Sequence, residues 1–252
     1  MMIIFDIDGV IRDVGQSYRR ALADTVEKYT NQAYRPTPSD IDDLKGEGVW
    51  NNDWEASQEL IYRYYEQRGG DRLTLDLDYK TLVDFFQSRY RGQNWDGYIT
   101  TEPLLVTPAY FDSLTAAGIP WGFFSGATRG SAEYILKHRL GLTDPVLFAM
   151  EDGPGKPDPT GLFQVMETLA PGSDAPVFYA GDTVGDMHTV TLARQEGGER
   201  PLVAIGILPP HVQGDPTRQA QYEEKLIASG AACVLPKITD LTPAYCQALL
   251  GV

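Results

Sequence analysis

The stretch MMIIFDIDGVIRD, Met1–Asp13, decides the fold of this chain. Its apolar run, Met2 to Phe5, is unbroken and stops at Asp6. A second acid, Asp8, follows after one intervening residue. An unbroken apolar run of this length is typical of a strand buried on both faces of a parallel sheet. The acids then stand at the carboxyl end of the strand, which is where open α/β sheets bind ligands. The stretch therefore predicts a first strand that ends in a site.

Asp6 and Asp8 are predicted to point the same way, because they are two positions apart in an extended segment. Two adjacent carboxylates repel each other unless a cation lies between them or one of them holds a proton. Gly9 allows a sharp turn and leaves backbone N–H groups open near the acids. A solvated acidic turn explains these residues equally well when they are taken alone. Other parts of the chain have to decide between the two interpretations.

The composition is that of a globular protein with an acidic balance. The chain has 252 residues, 42% of them hydrophobic and 22% charged, and a formal net charge of -14. This length suits one large α/β domain or a domain with a smaller insert. The negative charge argues against a nucleic-acid binder, because phosphate backbones require a basic surface. A small anionic substrate is still compatible, provided that the site supplies its own local cation.

The sequence shows no clear pattern for membrane insertion, export or metal binding by cysteines. No apolar run approaches the length that crosses a bilayer, and the first residues show neither a basic leader nor a cleavage-site pattern. We therefore expect a soluble, cytoplasmic protein without a membrane partner. Cys233 and Cys246 lack metal-ligand spacing and are predicted to be buried apolar side chains. The sequence leaves monomer and homodimer equally open.

The domain organisation follows from a change of pattern along the chain. From about Gly15 to Thr100 the spacing of apolar residues is helical, without a convincing strand, and the part from Asn31 to Asp53 reads as irregular. From Glu102 onward, helical patterns alternate with short apolar runs, as expected for a parallel sheet. The sequence thus predicts a doubly wound α/β core with an inserted all-α domain. The predicted strands are Met2–Phe5, Ile119–Phe124, Val146–Phe148, Val177–Ala180, Leu202–Gly206 and Ala232–Leu235.

Polar groups recur at the ends of separate predicted strands. In a parallel sheet these ends lie along one edge, so groups far apart in sequence converge there. Each group alone has an ordinary explanation, such as a helix N-cap or a loop lysine. Their joint presence favours one shared site. The groups are Asp6 and Asp8 after the first strand, Ser125 after the second, Lys156 in the loop EDGPGKPDP, and Asp182 and Asp186 in GDTVGD.

Four motifs in this order resemble those of the haloacid dehalogenase-like (HAD) hydrolases. They are DIDGV from Asp6, FFSGAT with Ser125, GKPDP with Lys156, and GDTVGD from Gly181. The chain is most similar to the phosphatase branch in which a helical cap is inserted after the first strand, subfamily IA. The resemblance implies a Rossmann-like core of residues 1–14 and 101–252 and a cap of residues 15–100. Val10 departs from the commoner Thr of the first motif, and members with Val are known.

The resemblance also implies the catalytic roles. Asp6 would be the nucleophile that forms an aspartyl phosphate, which divides one difficult displacement into two easier ones. Asp8 would protonate the leaving alcohol and then activate water. Ser125 and the backbone N–H of Gly126 would hold phosphate oxygens, and Lys156 would neutralise charge on the phosphoryl group. Family members that cleave carbon–halogen bonds generally lack an acid at the position of Asp8, so its presence favours phosphoryl transfer.

A metal is implied in the same way. Mg²⁺ would be bound by the Asp6 carboxylate, the backbone carbonyl of Asp8 and the Asp182 carboxylate, with Asp186 supporting either the metal shell or Lys156. Oxygen ligands of this kind are what Mg²⁺ prefers. The expected function is a Mg²⁺-dependent phosphatase acting on a small phosphomonoester, such as a sugar phosphate or phosphoglycolate.

The cap supplies the candidates for substrate recognition, because caps of this kind close over the phosphate. The run KGEGVWNNDW contains Lys45 and Asn52, which we expect to bind substrate, and an ordinary turn-rich loop explains the run equally well. Arg12 and Arg129 are further candidates for contact with an anionic substrate. The same run also offers Asn51, Asp53 and Trp54.

Two other functions are compatible with these motifs. A phosphomutase on the same scaffold would return the phosphoryl group to substrate instead of water, and a need for a bisphosphate activator would indicate it. A non-enzymatic phospho-acceptor or binding protein uses similar acids, Mg²⁺ and a lysine. Autophosphorylation without turnover would indicate that function.

Overall fold

The described strands form one parallel six-stranded sheet. The computed structural model describes residues 1–50, 52–197 and 200–251. Its strands are β1 (Met2–Phe5), β2 (Trp121–Phe124), β3 (Leu147–Phe148), β4 (Val177–Gly181), β5 (Leu202–Ile207) and β6 (Cys233–Leu235). They pair in the order β3-β2-β1-β4-β5-β6, which changes direction at β1 as in a doubly wound sheet. The predicted α/β fold class is confirmed, and every described strand overlaps one of the six predicted ranges.

Strand β1 is the centre of this sheet and is buried along its whole length. It pairs in parallel with β2, placing Phe5 beside Phe123, and with β4, placing Phe5 beside Ala180. Its side chains alternate between two apolar layers. Ile4 packs into one, while Phe5 packs edge-to-face against Phe111 of the other at 5.8 Å. Burial on both faces explains why the sequence of β1 is apolar at every position.

Ten α-helices accompany the sheet in the described part of the chain. They are α1 (Tyr18–Tyr29), α2 (Pro38–Lys45), α3 (Asp53–Glu66), α4 (Tyr79–Tyr90), α5 (Pro108–Ala116), α6 (Arg129–Glu133), α7 (Thr160–Leu169), α8 (Val184–Glu196), α9 (Pro216–Ala228) and α10 (Pro243–Leu250). Helix α6 continues as a π-helical segment, Tyr134–Arg139. None of the helices within the described ranges is both long and apolar enough to cross a membrane.

Helix α2 corrects the prediction that the part from Asn31 to Asp53 is irregular. The helix begins after Thr37, whose side chain accepts a hydrogen bond from the backbone N–H of Asp40, while the Asp40 carboxylate accepts one from the Thr37 N–H. Pro38 occupies the first helical position, where its missing N–H has no consequence. This reciprocal capping is a local sequence signal, and the prolines around it hid the helix.

The chain divides into two compact units. Unit 1 contains Met1–Asp13 and the chain from Pro103 onward, and it holds the whole sheet. Unit 2 spans Val14–Glu102 and contains α1 to α4, with no strand among its described residues. Within unit 2, the ring of Tyr18 on α1 stacks on that of Tyr90 on α4 at 3.9 Å. The insert expected from the sequence is residues 15–100, and its role as a cap stays a prediction.

Candidate active site

Asp6 lies where β1 ends, between the loops that follow the neighbouring strands. Its backbone N–H donates to the Ala180 carbonyl at 2.8 Å, which fixes it to the end of β4. The chain then turns at Gly9, whose φ is +75°. A Cβ at Gly9 would lie 2.0 Å from Asp182 Oδ2. The glycine therefore allows the loop after β1 to approach the loop after β4 directly.

Lys156 connects two of the acids. Its Nζ lies 2.8 Å from Asp6 Oδ1 and 2.5 Å from Asp186 Oδ1. The three side chains are almost completely buried, with 9%, 7% and 0% of their surfaces exposed. The loop that carries Lys156 and the helix that carries Asp186 are far from Asp6 in sequence, and the predicted convergence at the sheet edge brings all three side chains together.

Both carboxylate oxygens of Asp186 have partners within the protein. Oδ1 contacts Lys156 and also lies 2.9 Å from the hydroxyl of Tyr179. Oδ2 accepts hydrogen bonds from the backbone N–H and the hydroxyl of Thr183, at 2.9 and 2.6 Å. Of the two roles considered for Asp186, the geometry thus favours support of the lysine.

Tyr179 is a residue of this network that the sequence reasoning missed. It lies on β4, and its buried hydroxyl is within hydrogen-bond distance of both Asp186 Oδ1 and the Phe124 carbonyl, at 2.9 and 3.1 Å. The available signal was a tyrosine inside an otherwise apolar buried strand, because a buried hydroxyl requires a polar partner.

Ser125 and Gly126 follow β2 at the same edge of the sheet. The Ser125 N–H donates to the Phe148 carbonyl at 3.0 Å, and its Oγ accepts from the Ala127 N–H at 3.2 Å. Ser125 is buried, whereas Gly126 is exposed. The parallel register of β1 and β2, continued past Phe5 and Phe123, places Ser125 at the level of the residue after Asp6.

Burial raises the pKa values of two of the acids, Asp6 and Asp182. Burial raises the pKa of Asp6 to about 7, helped by the charges of Asp186 and Asp8 and opposed by Lys156. Burial, followed by the charges of Asp186 and Asp6, raises the pKa of Asp182 well above its ordinary value. The metal-free site therefore resists full ionisation of these two acids.

Lys156 and Asp186 behave as a charged pair. Burial opposes the charge of Lys156, but the nearby charges of Asp186 and Asp6 raise the pKa of the lysine well above its ordinary value. Burial likewise opposes the charge of Asp186, but Lys156 and the hydrogen bonds from Thr183 hold its pKa below the ordinary value. The lysine is thus kept cationic beside Asp6.

The acids of the site are arranged so that they could hold a divalent cation. Asp6, Asp182 and Asp186 each offer a carboxylate oxygen, and these oxygens lie within 4.8 Å of one another. Three buried acids facing one lysine have an excess of negative charge, and hard oxygen donors suit Mg²⁺. The side chain of Asp8 is outside this cluster, since its Oδ1 accepts a hydrogen bond from Arg12 Nε at 2.6 Å. Its expected role as a ligand involves the backbone carbonyl instead.

A first prediction concerns Gly9. Gly9→Ala should lower the free energy of unfolding by about 1–3 kcal/mol more than Gly118→Ala, because the new methyl group overlaps Asp182. Gly118 is the matched control: its φ is +67°, and nothing lies within 4 Å of a Cβ there, so its substitution measures backbone strain alone. Urea unfolding of the two variants gives the difference. Equal losses would contradict the close approach of the two loops.

A second prediction concerns the pH dependence of the metal-free protein. The folded-state pKa values of Asp6, about 7, and of Asp182 lie above that of an unfolded aspartate, so the native state binds more protons between about pH 4 and 7. This contribution therefore destabilises the fold increasingly as the pH rises through that window.

Thermal unfolding in EDTA measures this effect. The Tm of Asp182→Asn should exceed that of wild type by a margin that grows from pH 5 to pH 8. Mg²⁺ should raise the Tm of wild type more at pH 8 than at pH 5, because the cation competes with protons for the same oxygens. A Tm difference that is independent of pH would show that Asp182 is not under electrostatic strain.

The candidate residues of the insert make contacts inside unit 2. Lys45 Nζ lies 2.9 Å from Asp53 Oδ1. Asn52 caps α3, because its Oδ1 accepts from the Trp54 N–H at 2.9 Å. Asn51 lies outside the described residues. These contacts give Lys45 and Asn52 local structural roles, and substrate binding by them stays a prediction.

The two arginines also have protein partners. Arg129 forms an ion pair with Asp152, and its backbone N–H donates to Glu151 Oε2 at 2.7 Å. The Arg12 side chain is fully buried and pairs with Asp8. The burial of Arg12 makes it a partner of an acid rather than an open contact for substrate.

Comparison with known proteins identifies the family of this chain. A family model, the haloacid dehalogenase-like hydrolase, matches residues 1–189. The chain belongs to this family. A solved phosphonoacetaldehyde hydrolase-like protein from Oleispira antarctica is 18% identical to this hydrolase, with a TM-score of 0.70 over 98% of this chain and 91% of the other. A phosphatase from Thermococcus thioreducens is 19% identical, with a TM-score of 0.67 over 100% of both chains. At these identities the likeness shows the fold.

One curated relative is similar along nearly the whole hydrolase. It is an imidazoleglycerol-phosphate dehydratase of Phytophthora nicotianae, 29% identical over 254 aligned residues. The match covers 96% of this chain and 52% of the relative. The hydrolase thus spans about half the length of the curated relative that it matches.

Proposed function

We propose that this hydrolase is a Mg²⁺-dependent phosphatase that cleaves a small phosphomonoester through an aspartyl phosphate on Asp6. The observation that carries the proposal is the contact of Lys156 Nζ with Asp6 Oδ1, 2.8 Å long and buried, at the end of the central strand. A carboxylate is a recognised covalent catalyst, and a fixed cation beside it favours the approach of an anionic phosphoryl group. Family membership supports the hydrolase class.

Binding would use groups that the sheet edge brings together. The hydroxyl of Ser125, the backbone N–H of Gly126 and Lys156 Nζ would orient the phosphoryl oxygens. Asp6, Asp182 and the carbonyl of Asp8 would hold Mg²⁺, whose charge would offset that of the phosphoryl group when it is bound. Positioning and fixed positive charge are the main means of accelerating phosphoryl transfer.

The first chemical step would transfer the phosphoryl group to Asp6. A carboxylate oxygen of Asp6 would attack phosphorus while the bond from phosphorus to the leaving oxygen breaks. Asp8, protonated at this stage, would give its proton to that oxygen, so the product leaves as a neutral alcohol.

The second step would release phosphate. Asp8, now a carboxylate, would take a proton from water as the water oxygen attacks phosphorus and the bond to Asp6 breaks. This returns both aspartates to their starting states. Phosphomonoester hydrolysis is among the slowest uncatalysed reactions, so the site has to lower the barrier by about 20 kcal/mol or more.

The substrate class is tested by phosphate release from a panel. The panel contains hexose phosphates, phosphoglycolate and, because of the name of the curated relative, imidazoleglycerol phosphate. We expect release in Mg²⁺ and its loss in EDTA, with one class preferred. Absence of release from every compound by the folded protein in Mg²⁺ would contradict the phosphatase. An isomerised phosphate ester that forms only with a bisphosphate activator would indicate a phosphomutase.

A third prediction tests the insert. If Lys45 binds substrate, Lys45→Ala should raise KM about tenfold for the preferred compound with little change in kcat, because uniform binding energy is lost. Lys80→Ala is the control, since Lys80 lies in the same unit with 84% of its side chain exposed. Kinetics identical to wild type would remove Lys45 from substrate binding and leave its contact with Asp53 as its role.

A further inference from the structure

Arg12 carries a buried guanidinium beside the proposed acid–base residue. Its side chain is fully buried, whereas 27% of the Asp8 side chain is exposed. Both Nε and Nη2 of Arg12 lie 2.6 Å from the same oxygen, Asp8 Oδ1. A buried arginine is costly unless its charge is paired, so this contact with Asp8 is a strong constraint on both side chains.

The backbone holds Arg12 in this place from two sides. The Gly9 N–H donates to the Arg12 carbonyl at 2.9 Å, which folds the chain back so that residue 12 lies beside residue 8. On the other side, the Leu105 N–H donates to the Ile11 carbonyl at 2.8 Å, and the Asp13 N–H donates to the Pro103 carbonyl at 2.9 Å. The guanidinium is therefore presented by a fixed stretch of chain.

The pairing leaves the two oxygens of Asp8 in different situations. Oδ1 accepts a hydrogen bond from Arg12 Nε and lies 2.6 Å from Nη2 in an ion pair, so the guanidinium anchors this one oxygen of the carboxylate. Asp8 stands two residues after Asp6, and a Cβ at the next residue, Gly9, would lie 2.0 Å from Asp182 Oδ2, so Asp8 lies beside the reacting groups. Oδ2 is the oxygen that stays available for proton transfer.

We propose that Arg12 is a positioning residue for Asp8: it holds Oδ1 so that Oδ2 faces first the leaving oxygen and then the attacking water. This inference rests on the proposed phosphatase function. Arg12 is a positioning residue in this inference because its charge is paired with Asp8 and it acts through that side chain. General acid–base catalysis by a correctly placed carboxyl contributes about 10²–10⁴-fold, which sets the scale of what misplacement can cost.

The experiment compares leaving groups in Arg12→Met, which keeps the length of the side chain without its charge. For the alkyl phosphate ranked first by the panel, kcat should fall about 30-fold or more with KM within about twofold, because the alcohol leaves only with a proton. For p-nitrophenyl phosphate, the pre-steady-state burst of nitrophenolate should slow by less than about threefold, because nitrophenolate leaves as an anion and needs no proton from Asp8. Arg12→Lys, which retains a cation, should recover part of the loss.

A purely structural role predicts a different pattern. Equal slowing of both substrates by Arg12→Met, or a raised KM with unchanged kcat, would overturn the inference. If Arg12→Met does not fold, the same two substrates are compared in Arg12→Lys and Arg12→Gln.

Crystal structures provide a readout that does not depend on turnover. The Asp8 carboxylate should hold one conformation in wild type and several in the variant. An unchanged, single Asp8 conformation in the variant would overturn the inference. Failure of wild type to release phosphate from either compound would instead overturn the proposed function.

Discussion

Asp6→Asn is expected to reduce phosphate release by at least about 10⁴-fold while the protein remains folded. The amide cannot form the covalent bond to phosphorus, and loss of a nucleophile costs this much or more in enzymes that use covalent catalysis. Because burial raises the pKa of Asp6 to about 7, the wild-type carboxylate is an unfavourable charge in the metal-free site at pH 8. The variant should therefore be at least as stable as wild type in EDTA at that pH.

Steady-state release and thermal unfolding measure the two effects together. Asp84→Asn is the control, since Asp84 is exposed and pairs with Lys80 on the surface of unit 2, and it should leave both quantities unchanged. An Asp6→Asn protein that retains a tenth of the wild-type rate would exclude Asp6 as the nucleophile. A variant that is inactive because it is unfolded would be recognised by its lowered Tm.

Lys156→Met should both unfold more easily and lose activity. The substitution leaves Asp186 buried without its cation, and breaking a buried ion pair by removing one partner costs about 3–5 kcal/mol. It also removes the cation that contacts Asp6 Oδ1 at 2.8 Å, which we expect to lower kcat by about 10²–10³-fold. Stability and activity thus respond together at this position, unlike at Asp6.

Lys80→Met provides the comparison for this prediction. Lys80 also forms an ion pair, at 2.6 Å from Asp84, but the pair is exposed, and exposed pairs contribute at most about 1 kcal/mol. Urea unfolding in EDTA separates the two variants. A loss of stability in Lys156→Met no larger than that in Lys80→Met would show that the buried network does not depend on the lysine.

Much of the fold follows from local sequence pattern. Strand β1 is recognisable because a strand buried on both faces is apolar at each position, and the same argument located the other strands. The convergence of Asp6, Lys156 and Asp186 was predictable from one rule, since parallel strands end at a common edge. Helix α2 was missed although its signal is local, because Pro36 and Pro38 suggested a loop more strongly than Thr37 and Asp40 suggested a cap.

The partners of buried polar groups could not be read from the sequence. Tyr179 and Asp186 are seven residues apart and meet only because a strand and the following helix pack in one particular way. Arg12 was considered as a contact for substrate, and nothing in its spacing shows that the chain folds back to pair it with Asp8. Such contacts depend on side-chain positions that tertiary packing determines.

The most direct test of the account is to trap the phosphoryl group on the enzyme. The Asp8→Asn variant, mixed with p-nitrophenyl phosphate and Mg²⁺ and quenched in acid, should accumulate a covalent phosphoryl group, because it lacks the base that activates water. Peptide mapping by mass spectrometry should place that group on Asp6, and hydroxylamine should remove it, as it does acyl phosphates. A phosphoryl group on another residue, or turnover by wild type without any phosphoenzyme in either protein, would contradict the account.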